Sequence, residues 1–155
     1  MTGEAKRGVG AQAAEEGAGA RDGTAERRLA IVDGSNVAHS TEGERPHLEN
    51  IRLVCEKLRE EGFEPVVVVD AALRHRIDDS REYEEQVEDG EIRQAPAGTD
   101  ADYFILSFAR ELDGAVVSND RFRDREDAFA DVLERVIRFM IVDGEVVLER
   151  RVRRR

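Results

Sequence analysis

The sequence predicts an α/β fold with a mainly parallel sheet, and three observations carry the prediction. Leu29-Ala30-Ile31-Val32, Val66-Val67-Val68-Val69 and Ala115-Val116-Val117 are short, continuous apolar runs of the kind that strands buried on both faces require. Between them lie longer stretches with apolar residues at helical spacing. The two kinds alternate along the chain, which favours parallel pairing through right-handed crossovers.

In chain order, Arg28 to Asp33 reads as a buried strand, followed by a loop from Gly34 to Pro46. Ile51, Val54, Cys55 and Leu58 then fall at i, i+3, i+4 and i+7, which places a helix over His47 to Glu61 with Gly62 as its stop. Val66 to Val69 suits a central strand, Arg74 to Asp89 a charged surface helix or two, and Ile92 to Ala95 a weaker strand. Thr99 is expected to cap a helix through Leu112, with Asp102 as the capping-box acid and Ile105, Phe108, Ala109 and Leu112 as its core-facing stripe. Ala115 to Ser118 is the next strand, and Val136 to Val142 with Glu145 to Leu148 form a hairpin around Asp143-Gly144.

Length allows one domain, expected over residues 28–150. Residues 1–27 form an acidic, Gly- and Ala-rich tail in which Val9 is the only large apolar residue beyond Met1, so they are expected to be disordered. Residues 151–155 form a basic tail. No apolar run approaches a membrane span or a signal peptide, and a cytoplasmic protein is expected. Cys55 is the single cysteine, which excludes an internal disulfide and a cysteine-rich zinc module. His39, His47 and His75 show no ligand spacing, although His39 lies close behind Asp33.

The formal charge of -11 weighs against a polyanion as partner. Lys6 and Lys57 are the only lysines, however, and an acidic, lysine-poor composition suits a protein kept soluble in high salt, where the screening length falls to about 3 Å at 1 M. Arginines also cluster at 121, 123 and 125 and again at the carboxyl end, so local positive potential survives the acidic average.

Asp33 ends one apolar run, Asp100 and Asp102 open a helix, and Asp120 and Asp124 follow another apolar run. In an open α/β sheet those positions share the carboxyl edge, where ligands bind. Asp102 stands one turn before Ile105 and so faces the sheet edge. Carboxylates gathered there repel one another unless a cation holds them, and all-oxygen ligands suit Mg²⁺ or Mn²⁺ better than Zn²⁺. A metal-dependent phosphodiesterase follows as the expected activity. Asp33-Gly34-Ser35-Asn36 adds a glycine that lets backbone approach a phosphate, and Ser35 and Asn36 serve the pocket or the turn. Asn119, Arg121 and Arg123 are further substrate-binding candidates beside Asp120. A haloacid-dehalogenase-type phosphatase would need an acid at Ser35, and a receiver domain a lysine beyond Lys57; both fail.

Ile31-Val32-Asp33-Gly34-Ser35-Asn36-Val37-Ala38 and Asp113-Gly114-Ala115-Val116-Val117-Ser118-Asn119-Asp120-Arg121-Phe122-Arg123-Asp124 resemble the signature segments of NYN/PIN-like ribonucleases. The resemblance is strongest to the nuclease domain of Regnase-type CCCH zinc-finger proteins. With Asp102-Tyr103-Phe104-Ile105 between them, it spans Leu29 to Asp124. It implies a PIN-like three-layer α/β/α sandwich that cleaves single-stranded or stem-loop RNA with Mg²⁺ or Mn²⁺. By position, Asp33, Asp102, Asp120 and Asp124 match the acidic metal site and Asn36 the polar pocket residue. Relatives often carry two adjacent acids at the helix start; here Asp100 and Asp102 flank Ala101, and both remain candidate ligands. The resemblance also allows a homodimer. In-line attack by an activated water would leave a 5′-phosphate and a 3′-hydroxyl. The alternatives are a catalytically silent RNA-binding or scaffold domain of the same fold and a toxin-type PIN ribonuclease.

Overall fold

The computed structural model describes residues 27–149. The expected tails therefore lie outside the described residues except for Arg27, whose guanidinium donates to the carbonyls of Arg59 (3.1 Å) and Phe63 (2.9 Å). Six strands form one sheet in the order β3-β2-β1-β4-β5-β6. They are β1 (Arg28–Asp33), β2 (Phe63–Val69), β3 (Ile92–Gln94), β4 (Ala115–Val117), β5 (Val136–Val142) and β6 (Glu145–Glu149). Every neighbouring pair is parallel except β5 with β6. That hairpin turns at Asp143 (φ 52°) and Gly144 (φ 80°), two successive left-handed residues of the kind a tight two-residue hairpin turn uses.

Successive strand residues point to opposite faces, and the two cores divide accordingly. Ala30, Val32, Val67, Val69, Ala115 and Val117 face one side, where Ile51, Val54, Cys55 and Leu58 of α2 (Leu48–Glu60) and Tyr83 of α3 (Ser80–Glu88) cover them. Ile31, Val68 and Val116 face the other, beneath Ile105, Leu106 and Ala109 of α4 (Ala101–Leu112) and Phe129 and Val132 of α5 (Glu126–Leu133). The result is the expected three-layer α/β/α sandwich. Cys55 is buried, and burial pushes its thiol up to about 11, consistent with a packing role.

Several local expectations change. In α4 the core-facing residues are Ile105, Leu106 and Ala109, with Phe108 partly buried and the expected Leu112 exposed. The segment after Asp33 is not simply a loop, because α1 (Gly34–Ala38) begins at once: the Asp33 carboxylate accepts the Asn36 N–H, and the buried Asn50 amide donates to the carbonyls of Val37 and Ala38. Gly34 has a packing role that the sequence did not disclose. A Cβ there would lie 2.6 Å from Val69 Cγ1 and 3.1 Å from the Val68 carbonyl, so only glycine lets α1 rest against β2. The cap of α4 is Asp100, not Thr99, because the helix begins at Ala101 and the Asp100 carboxylate accepts N–H groups of its first turn. Finally, α5 was not expected; its eight residues are broken by non-helical angles at Phe129, which blurs a helical pattern.

β2 begins three residues earlier than its valine run and includes Pro65. β3 pairs only with Val67 to Val69, so Pro65 lies where β2 has a free edge and needs no N–H on that side. Chain order places the site. From β1 the chain moves outward to β2 and β3, then returns to lay β4 on the other flank of β1. Connections leaving the carboxyl ends of β1 and β4 therefore diverge, and a crevice opens between them.

Candidate active site

Asp33 shares the parity of Ile31 and so leans toward α4 at the carboxyl end of β1. It is buried, with 7 % of its surface exposed. Ser118, fully buried at the end of β4, donates its hydroxyl to Asp33 Oδ2 at 2.8 Å and accepts the Asp120 N–H at 3.0 Å. Burial pushes the Asp33 carboxyl up to about 6, against the lowering effect of the Ser118 and Asn36 hydrogen bonds, and Asp102 and Asp120 raise it further. The Asp102 carboxyl is raised as well, by burial and then by Asp120 and Asp124. These mutual effects place Asp33, Asp102, Asp120 and Asp124 in one electrostatic neighbourhood.

Asp100 behaves differently from Asp102. Its Oδ1 accepts the N–H groups of Asp102 (3.0 Å) and Tyr103 (3.3 Å), while its Oδ2 is paired with the Arg125 guanidinium. The first acid of the helix start thus fixes α4, and the second is left facing the other carboxylates. Asp100, Asp102, Asp120 and Asp124 line one cleft of about 590 Å³ together with Arg121, Phe122, Arg123 and Arg125. A neighbouring groove of about 560 Å³ shares residues 120–123 and runs over Leu133 and Val136 to Arg138. The acids border the cleft without closing on one point: among the described residues no three acidic, imidazole or thiol groups form a ready-made cage. An all-oxygen, like-charged and open set of this kind fits Mg²⁺ or Mn²⁺, which is held by one or two carboxylates plus water and phosphate, better than Zn²⁺, which wants a closed tetrahedron.

The loop after β4 is anchored, not free. Phe122 is 3 % exposed with φ 52°, a left-handed angle costly for a bulky side chain, and its N–H donates to Asp120 Oδ1 at 2.7 Å. Packing of this ring against the α4–α5 core holds the loop while Arg121, Arg123 and Asp124 stay exposed. Asn119 clasps β5, its amide donating to the Phe139 carbonyl and accepting the Phe139 N–H, and its own N–H donates to Asn36 Oδ1 at 2.9 Å. Ser35 accepts the Asp70 N–H at 3.0 Å. Ser35, Asn36 and Asn119 are thus engaged in tying the carboxyl ends of β1, β2 and β4 to one another and to the middle of β5. His39, exposed, bonds the Ser35 carbonyl of its own turn.

Sequence reasoning did not single out Ser118 or Arg125. Ser118 stood inside the Val117-Ser118-Asn119-Asp120 run, but its partner Asp33 is 85 residues away. Arg125 carried no signal beyond the alternation of arginines.

The profile of Zc3h12a-like ribonuclease NYN domains matches residues 26–155. The chain belongs to this family. Among solved structures it is similar to nuclear proteinaceous RNase P 2 (PRORP2) from A. thaliana, with a TM-score of 0.66 and 26% identity over 80% of this chain and 30% of that one. A second structure of the Arabidopsis thaliana nuclear protein-only RNase P 2 gives a TM-score of 0.61 and 26% identity over 78% and 29%. The chain therefore spans under a third of the length of these relatives. No curated protein matches it. Membership in the family agrees with the resemblance read from Asp33-Gly34-Ser35-Asn36 and Ser118-Asn119-Asp120, and the RNase P neighbours share the same α/β architecture.

Proposed function

We propose that the domain is a divalent-metal-dependent endoribonuclease that hydrolyses phosphodiester bonds in single-stranded or loop RNA at the cleft between β1 and β4. The observation that carries this reading is the convergence of Asp33, Asp102 and Asp120, from three separate segments, at the sheet's switch point in a chain of a ribonuclease family. Asp102 and Asp120, with Asp33 behind them and Asp124 beside them, would hold Mg²⁺ or Mn²⁺. A bound ion of this kind supplies Lewis acidity toward the scissile phosphate and lowers the pKa of water at neutral pH. The chain's own part is electrostatic and positional. Ser118 orients Asp33 through a direct hydrogen bond and holds the Asp120 backbone with the same oxygen. Arg121 and Arg123, exposed on the anchored loop, meet the phosphate backbone as it enters the cleft, supplying local positive potential that the acidic average lacks. The groove toward Arg138 gives the strand a path beyond the scissile bond.

A fluorescently labelled RNA, presented as a single strand and as a stem-loop, and the matching DNA test this directly in Mg²⁺, Mn²⁺ or EDTA. The expected products are internal RNA fragments with 5′-phosphate and 3′-hydroxyl ends, formed only with metal. Products with 2′,3′-cyclic phosphate, or equal cutting in EDTA, would contradict the reading. Retained RNA binding without cleavage in any metal would favour the scaffold alternative.

A further inference from the structure

We infer that Tyr103 is a stacking platform for a nucleobase next to the scissile phosphate, so that the cleft reads a base as well as a backbone. The inference rests on the ribonuclease reading above. Tyr103 directly follows Asp102 on α4, yet 53 % of its surface is exposed, while the helix meets the core through Ile105, Leu106 and Ala109. A large aromatic left open beside the reacting edge is not needed to close that core.

The ring is open but held. Phe129, 2 % exposed, meets it nearly edge-on, with centroids 5.5 Å apart and planes at 75°. The Arg125 guanidinium lies 5.9 Å from the ring centroid. Arg125 is fixed in turn by Asp100 and lines the same cleft as Asp102, Asp120 and Asp124. The capping acid of α4 thus positions the arginine, and the arginine connects the ring to the cleft wall. Bases stack on aromatic rings and on guanidinium planes alike, with little dependence on sequence. A ring already fixed by its neighbours loses little freedom when a base lands on it. Single-stranded RNA fits because its bases are free to splay, whereas the bases of a duplex remain stacked inside it.

The test removes bases one at a time. Cleavage kcat/KM is measured on single-stranded RNAs that lack the base at successive positions around the cut, with wild type, Tyr103→Phe and Tyr103→Leu. Leucine keeps apolar contact with Phe129 but cannot stack. One position is expected at which base removal costs wild type and Tyr103→Phe about tenfold. Tyr103→Leu should show that loss on the intact strand, with no further loss on removing the same base. Independent, multiplying losses, or a Tyr103→Leu variant as fast as wild type, would overturn the inference while leaving the nuclease reading intact. If wild type cuts no intact strand, the nuclease reading fails on its own, and the inference is then decided by binding. Tyr83 and Tyr103 are the only tyrosines and tryptophan is absent, so quenching of tyrosine emission by RNA reports Tyr103, Tyr83 being fully buried. Quenching that persists in Tyr103→Leu, or RNA binding without quenching in wild type, would overturn the platform.

Discussion

The two faces of the sheet draw alternate residues from the same strands and put them to different uses. On the α2–α3 face, Val32, Val69 and Val117 close against Val54, Leu58 and Tyr83, and the carboxyl edge is sealed by α1 resting on β2 through Gly34. On the α4–α5 face, Ile31, Val68 and Val116 pack below, but the next residues outward are Asp33 and Ser118, and the edge opens into the acid cleft. One face is given wholly to packing. The other accepts a buried carboxylate, raised to about 6, and a left-handed Phe122. Strain and like charge collected on one side set it apart from the packed face and mark the side on which the proposed site lies.

This contrast is easiest to break with one substitution on each face. Asp120→Asn should lower RNA cleavage by at least about 100-fold while leaving the melting temperature unchanged or higher, because it removes one of several crowded negative charges. Leu58→Ala, in the fully buried α2 core, should do the reverse, costing about 2–5 kcal/mol of stability and leaving the rate of the folded fraction intact. Activity assays paired with thermal melts separate the two. Equal loss of stability at both sites would erase the distinction between faces.

A pH series sharpens it further. The Asp33 carboxyl titrates higher in the folded chain, at about 6, than its ordinary value of 3.8, so the folded state holds that proton more tightly. Its stabilising effect is complete below 3.8 and is lost as pH rises through about 6, an effect of roughly 3 kcal/mol. In EDTA, wild type should therefore lose stability over this interval relative to Asp33→Asn, and denaturant unfolding at stepped pH reads the difference. Added Mg²⁺ or Mn²⁺ at pH 7 should restore stability to wild type, by about 3 kcal/mol at 100 times its Kd, and far less to the variant. A flat difference between the two proteins across the interval would remove the electrostatic basis of the site.

Gly34→Ala probes the seam where the faces meet. The added methyl must displace Val67 and Val69 or lift α1, at about 1–3 kcal/mol. Because Asn36 on α1 holds the Asn119 N–H, cleavage should fall together with the melting temperature, unlike in either substitution above. Loss of stability with unchanged cleavage would show that the tie between α1 and the β4 loop does not position the site.

The sequence displayed the layers more plainly than the joints between them. β1, β2 and β4 were legible because burial on both faces leaves short, unbroken apolar runs, and α2 because its stripe of Ile51, Val54, Cys55 and Leu58 is uninterrupted. α1 was hidden because its cap is a side chain with a second role and its last carbonyls are satisfied by Asn50, a residue of another helix. α5 was hidden by its kink at Phe129. At the site, Asp33, Asp102, Asp120 and Asp124 could be singled out because they stand at the end of β1, in the first turn of α4 and in the loop that follows β4. Ser118, Arg125 and Tyr103 could not, since their roles depend on Asp33, Asp100 and Phe129, which only the fold brings near.

The division of labour between Asp100 and Asp102 tests the central claim most directly. Single-turnover cleavage of single-stranded RNA should be followed across a Mn²⁺ titration for wild type, Asp100→Asn and Asp102→Asn. Asp102→Asn should fall at least about 100-fold at every metal concentration. Asp100→Asn, whose amide oxygen still caps α4, should stay within about tenfold of wild type and reach its plateau at the same Mn²⁺ concentration. The reverse pattern, with Asp100→Asn inactive and Asp102→Asn active, would contradict the assignment of the cleft's acids and with it the proposed seat of catalysis.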